Sequence, residues 1–366
     1  MSLQRYFTIF LVFVFVAVGC NELQEDSLKL TRDSPRISPI RTKEESTTNP
    51  ISTSTPFVTR EPRLSKKAIP TVTKGVVTVT PTTVTSMKVG NPVESTGFHA
   101  GMSVLVYGND EYLREKSENL LPRLVELHVN SIAIAFPIYQ DNWQATEVRK
   151  GIDTPTNDNL SALIYEAHHR GFEVMLRPIM DEKSLIPDGQ WRGSIQPEDR
   201  MEWFRSYTKL IVEYAEFCER NHVKILGIGT EFTSLEGETL HWHELISEVR
   251  DAYNGQLIYS SNWSIPASSI YSRVQFWEEL DYVGVDAFFP LEVPLGSTFE
   301  DLVQAWEKWL VQMDDVKEET GKPLIFTELG TTSQQGSYQR PWGWIDKSLP
   351  ISLDDQRIYY KASCAA

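Results

Sequence analysis

The sequence predicts an α/β protein, a parallel (β/α)8 TIM barrel read as truncated before its eighth strand, and three observations carry that prediction. From Phe98 onward, short apolar runs alternate with segments of 3.6-residue periodicity, the order that βα units around a parallel sheet produce. Gly171, Gly255 and Gly321 stand between a helical segment and the next apolar run, where a left-handed C-terminal cap is wanted. Glu231 in Ile-Leu-Gly-Ile-Gly-Thr-Glu-Phe and Glu328 in Pro-Leu-Ile-Phe-Thr-Glu-Leu-Gly close two matching runs. The carboxyl ends of barrel strands are where reactive groups collect.

Strands are expected near 101–107, 131–136, 173–178, 225–229, 257–261, 282–287 and 324–327, each a short apolar run bounded by turn-forming residues. Helices are expected over 112–127, 159–170, 197–221, 240–253, 268–279 (the weakest pattern), 298–320 and 353–366. That makes seven strands. A barrel closes only with its full strand number, so residues 97–366 read as a C-terminally incomplete barrel with an open seam between the first and last of these strands.

The first 96 residues have a different character. Residues 6–18 form an apolar run behind Arg5, too short to span a bilayer and ending in Ala17-Val18-Gly19-Cys20. Residues 1–20 therefore read as a lipoprotein signal peptide, with acylation at Cys20 giving a membrane anchor. Residues 21–96 hold 24 Ser/Thr and 8 Pro in 76 positions. That composition cannot bury enough apolar surface to fold and reads as a disordered Ser/Thr/Pro-rich tether. The reading implies an extracytoplasmic protein.

The chain carries 35 Lys/Arg and 50 Asp/Glu, a net −15. The first 96 residues contribute +4, which leaves −19 on residues 97–366. An acidic domain argues against nucleic acid and polyanionic glycans and is compatible with a neutral polysaccharide or oligosaccharide. Beyond Cys20 only Cys218 and Cys364 occur, so no disulfide framework or cysteine metal spacing exists. His241 and His243, two apart on a helix, point in different directions, as do the adjacent His168 and His169. No metal or organic cofactor is implied.

Two carboxylates converging from different strands suit retaining glycoside hydrolysis, in which one protonates the leaving oxygen and the other attacks the anomeric carbon. Close carboxylates in a partly dry site separate their protonation equilibria, and so one site can hold both states. Pyranose faces stack on indoles, and Trp143, Trp191, Trp263, Trp342 and Trp344 fall in loops after the strands. Trp203, Trp242, Trp277, Trp306 and Trp309 lie in helical patterns and read as core. Arg177, Asp181, Arg192, Asn262 and Asp286 lie at or just past strand ends, where polar contacts to sugar hydroxyls would come from.

In order and spacing, Trp191-Arg192-Gly193, Gly229-Thr230-Glu231, Ser261-Asn262-Trp263, Val285-Asp286-Ala287-Phe288-Phe289-Pro290-Leu291, Phe326-Thr327-Glu328-Leu329-Gly330 and Pro341-Trp342 resemble glycoside hydrolase family 113, a clan A barrel family known for β-1,4-mannanases. The resemblance spans about residues 97–366. It implies Glu231 as acid/base and Glu328 as nucleophile, with Arg177, Trp191, Arg192, Thr230, Asn262, Trp263, Asp286 and Trp342 toward the substrate. Clan A enzymes usually place Asn before the acid/base to meet the sugar 2-hydroxyl; Thr230 stands there instead. Many also carry a Tyr near the end of the sixth strand that touches the nucleophile, where this chain has Phe288 and Phe289. The expected protein is thus a lipid-anchored, monomeric glycosidase cleaving β-1,4-linked neutral polysaccharide, mannan first. A surface glycan-binding lipoprotein without turnover and a β-glucan-active clan A hydrolase are the alternatives.

Overall fold

The computed structural model describes residues 8–12, 99–108, 110–263 and 268–366. The chain divides into two units, Met1–Val16 with Asn91–Ala366, and Ala17–Gly90, and only the first contains described residues. Cys20, the expected signal cleavage point and all of the expected tether therefore lie outside the described residues.

Eight parallel strands close a barrel in sequence order: β1 (Thr8–Val12), β2 (Ala100–Leu105), β3 (Ser131–Ile138), β4 (Glu173–Met180), β5 (Ile225–Thr230), β6 (Gln256–Asn262), β7 (Tyr282–Asp286) and β8 (Leu324–Glu328). All seven expected strands are present as β2 to β8. The expected fold, a (β/α)8 barrel truncated before a further C-terminal strand, is present, and the one difference in the sheet is that its seam is occupied. Thr8–Val12 sits between β2 and β8 and pairs with both, Ile9 lying opposite Ala100 on one side and Phe326 on the other. The physical reason is that two unpaired strand edges demand a partner, and Thr-Ile-Phe-Leu-Val is a short apolar segment of strand-forming residues. Among the described residues no strand follows β8.

The outer layer begins with α1 (Asp110–Glu115) and α2 (Leu121–Glu126), which are one helical run interrupted by a π-turn over Lys116–Leu120. Pro122, in the first turn of α2, has no N–H to continue the α-type ladder. Next come α3 (Asn157–His169), α4 (Arg200–Arg220), α5 (Thr239–Ala252), α6 (Ser268–Arg273), α7 (Phe299–Thr320) and α8 (Leu353–Ala365). The helix expected over 268–279 is shorter than its pattern: α6 stops at Arg273, and Trp277–Glu279 forms a separate 3-10 turn. Side-chain caps start four helices, with Thr156, Asp199, Thr298 and Ser352 each accepting an N–H from the first turn. In α7 the carboxylate of Asp301 returns a bond to Thr298 and completes a capping box.

Gly171 and Gly321 take the left-handed conformation expected of them, with φ of +84° and +65°. Gly255 does not. The Tyr253 ring lies across its backbone, with the ring within 2.1 Å of where a Cβ would stand, so close approach rather than handedness requires glycine there. The main core lies between sheet and helices and contains all five helical-pattern tryptophans, Trp203, Trp242, Trp277, Trp306 and Trp309. A second apolar layer, Ala133, Met175, Ile225, Ile258 and Ile325, fills the inside of the barrel and forms the floor beneath the site.

Candidate active site

Strand alternation builds the site directly above that floor. Arg177 stands two residues past Met175, Ser260 and Asn262 two and four past Ile258, and Thr327 two past Ile325, so each points inward at a level nearer the strand exits. Register then aligns the exits: Asn262 pairs with Asp286, and Asp286 with Glu328. The β7–β8 register shifts between Val285 and Asp286, an irregularity that brings Asp286 opposite Glu328 instead of Thr327.

Arg177 occupies the centre of this layer and is only 1 % exposed. Its Nη1 donates to the Thr327 carbonyl at 3.0 Å and lies 3.2 Å from Glu328 Oε1. Its Nη2 is 3.3 Å from both Ser260 Oγ and Asp286 Oδ1, and 3.4 Å from Thr230 Oγ1. One guanidinium thus ties β4 to β5, β6, β7 and β8, which its planar fork of donors permits. Asp286 is fully buried. Its Oδ1 also accepts from Thr327 Oγ1 at 2.7 Å, while its Oδ2 has no hydrogen-bond partner among the described residues. Burial, then the nearby Glu328, pushes the Asp286 carboxyl up to about 7 against the pull of Arg177.

Glu231 follows β5 and has a left-handed backbone, φ +55°, in a non-glycine residue. Such a conformation costs about 1–3 kcal/mol and persists only where neighbours fix it. Here its N–H donates to the Ser260 carbonyl at 2.7 Å and its own carbonyl accepts from Thr233 at 2.8 Å, turning the chain sharply at the strand exit. The carboxylate is gripped from two sides: Asn262 Nδ2 donates to Oε1 at 2.6 Å, and Arg192 Nη1 to Oε2 at 3.3 Å. Burial raises the Glu231 carboxyl well above the ordinary range; Asp286 adds to this, Arg192 opposes it, and Glu328 and Glu182 raise it further. Burial works against the Arg192 charge, but Glu231 and Glu182 outweigh it and hold the guanidinium above its usual pKa.

Aromatic residues gather at the exits of β6 and β8. Trp263, directly after Asn262, meets Trp342 at 5.0 Å between ring centroids and stands edge-on to the core residue Trp309 at 5.9 Å. The Arg340 guanidinium lies 6.0 Å from the Trp342 ring centre. Trp191 folds over Gly193, where its ring lies within 2.3 Å of an added Cβ, so the Trp-Arg-Gly turn needs glycine to let Arg192 reach Glu231. Trp143 packs partly buried against the core and Trp344 is 75 % exposed.

The structure brings together Arg177, Arg192, Thr230, Glu231, Asn262, Asp286 and Glu328 through the contacts above. One part of the sequence reading is corrected. Arg177, Thr230 and Asp286 are buried behind the carboxylates, because they occupy inward strand positions below the exits, so their side chains hold the site together instead of presenting a surface to a sugar. Phe289 turns outward and stacks on Trp309 at 4.5 Å, which leaves the strand-end contacts to Asp286. The histidines diverge as expected, His241 toward Glu244 and His243 toward Glu279. Among the described residues no cluster of His, Cys, Asp or Glu has the arrangement of a metal site.

Sequence reasoning missed three participants. Ser260 and Thr327 were legible in principle, since they alternate with Asn262 and with Ile325. Glu182 was not, because its role depends on how the loop after β4 folds back. A fourth buried group, Glu236, takes bonds from Ser261 Oγ at 3.0 Å and Tyr259 OH at 3.2 Å and pairs with Arg273 at 2.7 Å, tying the loop behind Glu231 to β6 and α6.

Glu231 after β5 and Glu328 at the end of β8 place two carboxylates at barrel-strand exits, the layout of a glycosidase-type barrel. The model of Glycoside Hydrolase Family 113 matches residues 105–366. The chain belongs to that family and is a glycoside hydrolase. Among solved structures it is similar to the GH113 β-mannanase AaManA from Alicyclobacillus acidocaldarius in complex with ManMIm, at 25 % identity and a TM-score of 0.63, over 73 % of this chain and 82 % of that one. A structure of a GH113 β-1,4-mannanase is similar in fold, at 24 % identity and a TM-score of 0.62, over 72 % and 82 % of the two chains. The curated proteins contain no match.

Proposed function

We propose that the chain is a retaining endo-β-1,4-mannanase, with Glu231 as acid/base and Glu328 as nucleophile. The observation that carries this is the unequal setting of the two carboxyls. Glu328 is paired at 3.2 Å with the buried guanidinium of Arg177, whereas burial raises Glu231 well above the usual range, so that it can begin the cycle protonated. In the first step Glu328 attacks the anomeric carbon while Glu231 gives its proton to the leaving oxygen. In the second, Glu231 takes a proton from water, which attacks the glycosyl-enzyme from the side the leaving group vacated. Asn262 and Arg192 orient Glu231 through this alternation, and Trp263, Trp342 and Trp191 supply stacking faces.

Mannan as the substrate is supported by the family and by the β-mannanase of 25 % identity. The test is a product profile on defined β-1,4-manno- and β-1,4-gluco-oligosaccharides. Internal cleavage of the manno series is expected; release from the gluco series alone contradicts the substrate, and binding without release from either contradicts the enzyme.

We also propose that the protein is exported and lipid-anchored through Cys20, on the strength of the apolar run and the small residues before that cysteine. Cleavage there removes Thr8–Val12, the strand that pairs with both β2 and β8 here. Intact mass of the membrane fraction decides: a diacylated chain beginning at Cys20 is expected, and a full-length soluble chain that retains Thr8–Val12 contradicts it.

A further inference from the structure

The loop after β4 folds back so that one carboxylate, Glu182, meets Arg192 twice. Its Oε1 accepts the Arg192 backbone N–H at 3.3 Å and lies 3.1 Å from the guanidinium Nε. The second contact is a close ion pair and not an aligned hydrogen bond, since Nε has no hydrogen-bond partner by geometry. The other end of the same guanidinium reaches Glu231 Oε2 at 3.3 Å. Both carboxylates and the arginine are mostly shielded, at 18 %, 18 % and 11 % side-chain exposure for Arg192, Glu182 and Glu231. In so dry a setting each charge counts.

We propose that Glu182 is a positioning residue of the reaction, holding Arg192 between two carboxylates so that Glu231 meets a guanidinium whose charge is already partly balanced. The chemistry requires such a compromise. A bare guanidinium beside Glu231 would hold it ionised and unable to donate, while its absence would leave the carboxylate formed after proton transfer buried without a partner. A shared arginine serves both halves of the cycle. Other charged groups face Glu231 as well, namely Asp286 on β7 and Glu328 on β8, with Arg177 on β4 tied to both of them. Arg192 itself pairs with Glu182 and with Glu231.

This inference rests on the acid/base assignment of Glu231, and its test separates the two. The pH dependence of kcat/KM is measured on the full chain with an aryl β-mannobioside carrying a poor leaving group, which reports the free enzyme's acid. In Glu182→Gln the basic limb should move to lower pH, so that well above the limb the variant loses about tenfold relative to the parent, the scale of one close charge partner. In Arg192→Gln the limb should move to higher pH. Glu182→Asp, which keeps the charge, should keep the limb while lowering kcat, and it stands in if Glu182→Gln folds poorly. Limbs that stay fixed while kcat falls, or that move the same way in both Gln variants, would overturn the proposal. Azide rescue of Glu231→Ala with a retained β-glycosyl azide is the control: if rescue succeeds and the limbs do not move, only the role of Glu182 fails.

Discussion

The exits of β5 and β8 carry the same residue type on equivalent strands and present it in opposite ways. Glu328 is the last residue of β8, just past the register shift against β7, and is paired with a buried arginine that also contacts β5, β6 and β7. Glu231 stands one residue beyond its strand in a strained backbone, and its partners Arg192 and Asn262 come from a loop and a strand exit. A carboxylate anchored in the sheet suits the nucleophile role proposed for Glu328, which must stay aimed. The drier setting of Glu231, held by side chains from a loop and a strand exit, suits the acid/base role proposed for it, in which it changes protonation twice in a cycle. Identity of residue type thus says little about role, and the neighbours decide it.

Removing each glutamate is the largest way to break this comparison. Glu328→Ala should lose turnover by roughly 10⁵-fold, as loss of a nucleophile does, and azide should then give an inverted α-glycosyl azide by single displacement. Glu231→Ala should lose about 10²–10⁴-fold on substrates with poor leaving groups, the usual scale of general acid–base catalysis, and much less on activated ones. If both variants gave the same azide anomer, the division of roles would be wrong.

Trp263 tests whether the β6 exit belongs to the substrate side of the comparison. Trp263→Ala in a Glu328→Gln background should weaken mannotetraose binding by about 1–3 kcal/mol, the scale of one large apolar contact. Unchanged binding by calorimetry would reduce Trp263 to a packing residue between Trp342 and Trp309.

The smallest effect concerns stability. The Asp286 carboxyl titrates at about 7 when folded and near the ordinary value of about 4 when unfolded. The folded state therefore binds the extra proton between those values, and the contribution to stability is fully present below about pH 4 and lost as pH rises through 7. Glu231, also raised, acts in the same direction. Asp286→Asn mimics the protonated form, and its urea-unfolding free energy should decline less between pH 4 and 8 than that of the parent. Parallel profiles would contradict a buried, proton-holding Asp286.

Much of this was legible in sequence, for identifiable reasons. The seven strands β2 to β8 follow from apolar runs and helical periodicity, and Glu231 and Glu328 from their position at run ends. What sequence could not show is depth. Arg177 and Asp286 look like any strand-end polar residues, yet the inward alternation above Met175 and the shifted β7–β8 register bury them beneath the carboxylates. Glu182 was invisible because loop geometry, not periodicity, brings it to Arg192. The closing strand was misjudged for a different reason: an apolar stretch such as Thr8–Val12 satisfies the pattern of an export signal and of a buried strand equally well.

The central claim is that the two glutamates divide the work, with Glu328 forming the covalent intermediate. A 2-deoxy-2-fluoro-β-mannobiosyl fluoride slows both steps but keeps its good leaving group, so the glycosyl-enzyme should accumulate. Peptide mapping of the labelled full-length protein by mass spectrometry should place the sugar on Glu328. A label on Glu231, or none from a preparation that hydrolyses mannan, would contradict the account.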